Sequence, residues 1–279
     1  MRKLSVIWIL ALLVSVTLGS AVSLTNPGLA EVEFRGLPIV LEFNFWNVRS
    51  YNGNALLKFD GERVLFEADL YDIVQVDPNS WVHGYPEIYY GYKPWSGKGV
   101  SSDVLKLPRK VNDLPDFHVV LEYSLWHEER LPFNLAVESW ITREERPRTV
   151  TAGDVEMMIW LYNSILTPGG DRVGTLQVEM EVNGEVVETL WEVYYAEWGW
   201  DYLAFRLTTP LREGKVVLPV KPFVEKTKEV IREFSKMKRV SNFDEMYFEN
   251  VEVGTEFGDP RTKESRFGWE IREFSILVK

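Results

Sequence analysis

The sequence contains no cysteine. A chain read as exported must then hold together by its core alone, without covalent staples. Histidine is nearly as scarce: His83, His118 and His127 are scattered without metal-ligand spacing and read as structural. No internal repeat, low-complexity run or linker interrupts the sequence, so one domain is expected over residues 24–279. Positive charge is not in excess either. Lys and Arg number 31 against 42 Asp and Glu, a formal net charge of −11. Such a surface argues against nucleic acid and anionic membranes as partners and suits a neutral or cationic substrate. Long apolar runs are absent with one exception, Leu4 to Leu18, interrupted only by Ser5, Ser15 and Thr17. It follows the basic Met1-Arg2-Lys3 and precedes the small Gly19, Ser20, Ala21 and Ser23, the layout of a secretory signal peptide over residues 1–23. The run is shorter than the roughly 20 residues of a spanning helix; an uncleaved anchor is the alternative. Removing it takes the net charge from −11 to −13. The remainder is long enough to bury about three-quarters of its unfolded surface as one domain.

Aromatic residues are abundant instead. They make up 14% of the chain, with 11 Trp, of which only Trp8 lies in the leader. Flat rings stack on the C–H faces of sugars, so this excess fits a carbohydrate cleft, although aromatics also serve cores. Leu24 to Ala30 reads as a short leader, and from Val40 onward the chain is strand-like almost to its end. Val64 to Val76 reads as a strand with a break near Asp69, and Asn52-Gly53, Asp60-Gly61 and Asn183-Gly184 read as turns. Asp77 to Pro108 carries four prolines among many rings and reads as a long loop, a cleft wall with strand pieces such as Glu87 to Gly91. One helix is expected, Pro222 to Met237, with Phe223, Thr227, Val230, Ile231, Phe234 and Met237 at helical spacing. Many short strands and a single late helix imply an all-β sandwich of antiparallel strands with the helix packed on the sheet.

Three carboxylates stand out. In Asp154 to Tyr162, period two puts Val155, Met157, Ile159 and Leu161 on one face and Glu156, Met158, Trp160 and Tyr162 on the other. A glutamate among rings on a buried-looking strand costs free energy unless it is paired or functional. Glu156 is therefore either a nucleophile in a sugar cleft or a sheet-edge residue that reaches solvent. Glu138 shares a face with Trp140 on the strand Asn134 to Ile141, and Asn44 shares one with Trp46. Glu256 lies at a strand end between Gly254 and Gly258, whose small size lets backbone and substrate approach closely. Glycosidic bonds are cut by two carboxyl groups with divided labour, but spacing alone does not bring Glu156 and Glu256 together.

The runs Asp154 to Leu161, Glu252 to Gly258 and Phe43 to Asn47 resemble glycoside hydrolase family 12, the compact β-jelly-roll endoglucanases. Trp81 to Trp95, Trp198 to Arg206 and Phe267 to Ile276 are similar to its thermophilic prokaryotic branch, and the resemblance spans nearly all of the chain after the leader. It implies a concave cleft across two curved antiparallel sheets, endo-cleavage of β-1,4-glucan with retention of configuration, and no cofactor or metal. Glu156 matches the family's nucleophile in its Glu-x-Met-Ile-Trp motif, and Glu256 matches the acid/base in a shortened Gly-Thr-Glu-Phe-Gly context. Glu138 falls where many members carry an Asp that hydrogen-bonds the nucleophile. Trp46, in Asn44-Phe45-Trp46-Asn47, matches a Trp that stacks on a glucose. Met158 and Trp160 would line the cleft or pack behind it, and Trp81, Tyr85, Trp95, Trp198 and Trp200 are further subsite candidates. The reading that results is a secreted monomer acting on cellulose or mixed-linkage β-glucan. A xyloglucan- or xylan-cleaving jelly-roll hydrolase, a non-catalytic carbohydrate-binding module and a surface-anchored interaction protein are the rivals.

Overall fold

Alternating apolar and polar residues become strands wherever one face can be buried. The computed structural model describes residues 21–236 and 242–279; most of the expected leader, and Met237 at the expected helix end, lie outside them. The described strands begin with β1 (Val22–Leu24), β2 (Gly28–Phe34), β3 (Leu37–Phe43), β4 (Val48–Phe59) and β5 (Val64–Gln75). Then come β6 (Glu87–Lys93), β7 (Lys98–Val100), β8 (Arg109–Lys110), β9 (Phe117–His127), β10 (Asn134–Thr142) and β11 (Val155–Asn163). The long hairpin β12 (Asp171–Val182) and β13 (Glu185–Glu197) leads to β14 (Asp201–Leu207) and β15 (Glu213–Pro219). After helix α1 (Lys221–Phe234) the chain ends in β16 (Tyr247–Phe248), β17 (Asn250–Gly254) and β18 (Ser265–Val278).

Ladders link the main strands into one ribbon. Its outer half runs β1-β4-β5-β18-β9-β15-β12, and its inner half runs β13-β14-β11-β10-β17-β6-β3-β2. The β12–β13 hairpin joins the halves. Folded on itself, the ribbon is a jelly roll whose two curved layers share one core. Phe43 of β3 meets Phe66 of β5 at 5.7 Å, and Phe66 stacks on Trp269 of β18 at the same distance. Helix α1 buries Phe223, Val224, Thr227, Val230 and Ile231, with Phe223 edge-on to Trp191 and Phe205.

One pair departs from the antiparallel expectation. β11 and β14 run parallel, from Val155 opposite Asp201 to Trp160 opposite Arg206. A parallel pair needs a long crossover, and the β12–β13 hairpin supplies it. Other local expectations change too. The supposed leader after Leu24 is mostly strand, for β2 pairs with β3 across a turn at Arg35 and Gly36, both at positive φ. Asn52-Gly53 is no turn but lies within β4, where a Cβ on Gly53 would meet the Asp69 carbonyl at 2.0 Å. Within the supposed aromatic loop, β6 is a central strand paired with β17 and β3, and it is buried at every residue. The expected strand from Met246 to Val253 is split at Glu249 into β16 and β17.

Candidate active site

Register on the inner sheet sets out the site. Along one rung, Ala204, Met158, Glu138, Glu252 and Tyr89 are successive cross-strand neighbours on β14, β11, β10, β17 and β6. On the next rung Glu156 lies between Tyr202 and Trp140. These side chains share the face turned away from the sandwich core, since Val137, Met157, Val253 and Leu203 between them belong to that core. Glu256 joins them just beyond the end of β17. Asn134, the first residue of β10, holds it twice: its side-chain carbonyl accepts the Glu256 N–H at 2.7 Å, and its amide donates to Glu256 Oε2 at 2.5 Å. The flanking glycines permit this packing. A Cβ on Gly254 would meet Glu87 Cβ at 2.6 Å, and one on Gly258, at φ +79°, would meet the His83 ring at 2.5 Å.

Glu156 and Glu256 are ringed by protein yet keep part of each side chain accessible, as groups on a cleft floor do. Burial pushes the Glu156 carboxyl up to about 8, with the charges of Glu256 and Glu252 adding to it and a Trp200 hydrogen bond and Lys93 opposing it. Burial pushes Glu256 up to about 7, against the Asn134 hydrogen bond. The charge of Glu256 thus opposes ionisation of Glu156. Trp200 Nε1–H donates to Glu156 Oε2 at 2.6 Å. Its ring stands edge-on to Trp140 and Trp95, at 5.9 Å from each, and those two meet at 4.9 Å.

Behind these groups lies a buried charge cluster. Lys93 Nζ is 2.5 Å from Glu87 Oε1, 2.7 Å from Glu252 Oε2 and 3.6 Å from Glu42 Oε2. Asn250 donates to Glu252 Oε1 at 2.6 Å, and Asn44 to Glu87 Oε1 at 3.3 Å. Burial works against the Lys93 charge, but Glu252, Glu87 and Glu42 outweigh it and hold the ammonium well above its ordinary value. Burial, reinforced by Glu252, drives Glu87 and Glu138 well above the ordinary carboxylate range; Glu87 is paired with Lys93, whereas Glu138, with no ion-pair partner among the described residues, keeps its proton. The charge of Glu156 adds to the rise of Glu138; the side-chain hydrogen bond on the Glu156 carboxyl comes from Trp200.

The expected aromatic positions divide into two groups. Trp46, Trp81, Trp95 and Trp198 are about half exposed. Trp198 stacks on Tyr202, the strand neighbour of Glu156, at 4.4 Å. Met158 and Trp160, by contrast, are each only 1% exposed. With Tyr85, Val82, Leu166 and Ala204 they form a second apolar cluster that covers one end of the inner face. Trp160 donates to Met158 Sδ at 3.5 Å and Tyr85 to the Ala136 carbonyl at 3.1 Å. All three are buried and pack in one cluster with Val82 and Leu166. Among the described residues, no group of three or more His, Asp or Glu is arranged to hold a metal ion.

A sequence model of glycosyl hydrolase family 12 matches residues 37–279. The chain belongs to this family. Its fold is similar to that of the endoglucanase cel12A from Rhodothermus marinus, at 27% identity over 92% of this chain and 99% of that one, with a TM-score of 0.66. A metagenome-derived family 12 endoglucanase (24% identity, 93% and 98% covered, TM-score 0.66) and the family 12 xyloglucanase from Bacillus licheniformis (18%, 92% and 100%, 0.67) share the fold. No curated protein matches the sequence. Several residues of this glycosidase's cleft were not singled out from sequence: Lys93, Glu87, Glu252, Asn134, Asn250 and Trp140. The signal was there as period two. Glu87, Tyr89, Gly91 and Lys93 share one face of β6, and Asn250, Glu252 and Gly254 one face of β17. Proline and glycine around β6 hid it.

Proposed function

We propose that the chain is a secreted, retaining endo-β-1,4-glucanase with Glu156 as nucleophile and Glu256 as acid/base. The observation that carries this reading is the pair itself: two accessible carboxyls, mutually repelling and both raised by burial, on the floor of a face rimmed by half-exposed Trp. The printed activity of the Rhodothermus neighbour supports the glucanase choice. The reactive form holds one proton. With it on Glu256, the Glu156 carboxylate attacks the anomeric carbon while Glu256 protonates the departing glycosidic oxygen, leaving a glycosyl ester on Glu156. Glu256, now a base, takes a proton from water as that water attacks the same carbon, and the Glu156 ester bond breaks. Trp46 and the half-buried Asn44 would hold a glucose beyond the cleavage point, and Trp95 and Trp198 would flank the cleft on the Trp140–Tyr202 side.

Reducing-sugar release from carboxymethylcellulose, mixed-linkage β-glucan, xyloglucan and xylan tests this. The glucans should be cut faster than xylan, and Glu156→Gln or Glu256→Gln should lose roughly 10³-fold or more in rate. Variants at wild-type rates would sink the assignment of the two glutamates, and a wild type without hydrolysis would point to a binding module instead. We further propose export as a monomer through the residue 1–23 leader. Because β1 uses Val22 and Ser23, a cut among Gly19 to Ala21 spares its ladder, whereas one after Ser23 removes two of three rungs. N-terminal sequencing of protein from culture medium decides between them.

A further inference from the structure

Among the described residues, Glu156 accepts one side-chain hydrogen bond, and the donor is a ring otherwise expected to stack on sugar. Trp200 ends the Trp198-Gly199-Trp200 turn that feeds β14, where Gly199 has φ +128° and the Trp198 N–H donates to the Trp200 carbonyl at 3.0 Å. Tyr202, two residues on, sits beside Glu156 in the parallel ladder. The turn thus ties the indole's position to the strand pair that carries the acid.

The ring has little freedom. Trp140 and Trp95 pack edge-on against it at interplanar angles near 70°. The Trp95 backbone is anchored there, for its main-chain N–H donates to the Arg148 carbonyl at 2.8 Å. A Trp ring has only two rotatable side-chain bonds, and packing on two sides fixes both. An indole N–H can only donate, so its geometry favours an acceptor carrying negative charge.

That bias matters because the surroundings push the other way. Glu252 on β17 and Glu256 beyond β17 oppose a negative charge on Glu156, and the protonated Glu138 on β10 and Tyr202 on β14 face the same group. Lys93 on β6 favours the charge, but its ammonium is committed to Glu87 and Glu252. Glu138, where the family resemblance placed an acid that bonds the nucleophile, is held protonated by burial, and the charges of Glu252 and Glu156 add to that.

We infer that Trp200 is the positioning residue for the nucleophile: its N–H holds Glu156 Oε2 and favours the ionised carboxylate, which leaves Oε1 to attack. This rests on the assignment of Glu156 proposed above, and its test separates the two.

Trp200→Phe keeps most of the ring and removes the donor. Expected are a kcat about tenfold or more lower, a KM within about threefold, and an acid limb of the kcat/KM–pH profile moved up by about one pH unit. A raised KM with both limbs unmoved would overturn the proposal and make Trp200 a sugar platform. An independent reading on unaltered sequence is the Trp200 indole resonance of ¹⁵N-labelled protein. It should move with the titration of Glu156, and the movement should vanish in Glu156→Gln; an indole unmoved by pH overturns the contact. Hydrolysis by Glu156→Gln at the wild-type rate would sink the nucleophile assignment alone, because the indole titration reads the contact whatever Glu156 does in the reaction.

Discussion

Glu138 stands directly opposite Glu252 in the β10–β17 ladder. Both side chains are buried, and the ammonium of Lys93 lies 2.7 Å from Glu252. Like charges opposed across a ladder destabilise it, so the pair persists because Glu138 keeps its proton and Glu252 is matched by Lys93.

Lys93→Met should therefore cost about 3 kcal/mol at pH 8, since removing one partner strands buried acids. Urea unfolding measures this. Lys93→Met at wild-type stability would mean that the cluster does not depend on its ammonium.

Glu138→Gln should be mild. A protonated carboxyl and an amide are close in shape, so activity near neutral pH should stay within about tenfold of wild type, far above Glu156→Gln. A loss equal to that of Glu156→Gln would give Glu138 a direct part in the chemistry.

Stability should fall as pH rises. Burial raises Glu156 to about 8 and both Glu256 and Glu249 to about 7. An acid raised by folding stabilises the fold fully below its ordinary value, and that contribution is lost as pH climbs through the folded value. Tm should thus be higher at pH 5 than at pH 9. Glu249→Gln should flatten the curve around pH 7, while its bonds to Thr142 and the Arg146 N–H place it away from the chemistry.

Two tryptophans separate surface from support. Trp46 is 52% exposed, so Trp46→Ala should raise KM several-fold with Tm little changed. Trp160 is buried in the second apolar cluster, so Trp160→Ala should cost about 3–5 kcal/mol of stability. Calorimetry alongside initial rates distinguishes them, and the opposite pattern would reverse their roles.

The strands that carry the site were legible in the sequence where one face is apolar and the other marked. Val155 to Asn163 shows this, with Glu156 set among rings. Asn134 to Thr142 and the α1 stripe were equally plain. What escaped depended on partners far along the chain. β6 is buried at every residue, on both faces of the sheet, so it has no simple alternation, and the prolines and glycines around it imitate a loop. Gly53 mimicked a turn because its positive φ serves a bulge. Trp160 and Trp200 carry the same residue type and the same sugar-stacking expectation. Only tertiary packing makes one of them support and gives the other's N–H to Glu156.

The central claim is that Glu156 forms the covalent bond to the sugar. Incubating the enzyme with an activated 2-deoxy-2-fluoro-β-cellobioside, which slows breakdown of the glycosyl-enzyme, and mapping the labelled peptide by mass spectrometry tests it directly. The account predicts one label, on Glu156, absent in Glu156→Gln. A label on Glu256 or elsewhere, or an unlabelled enzyme that releases product of inverted configuration, would contradict it.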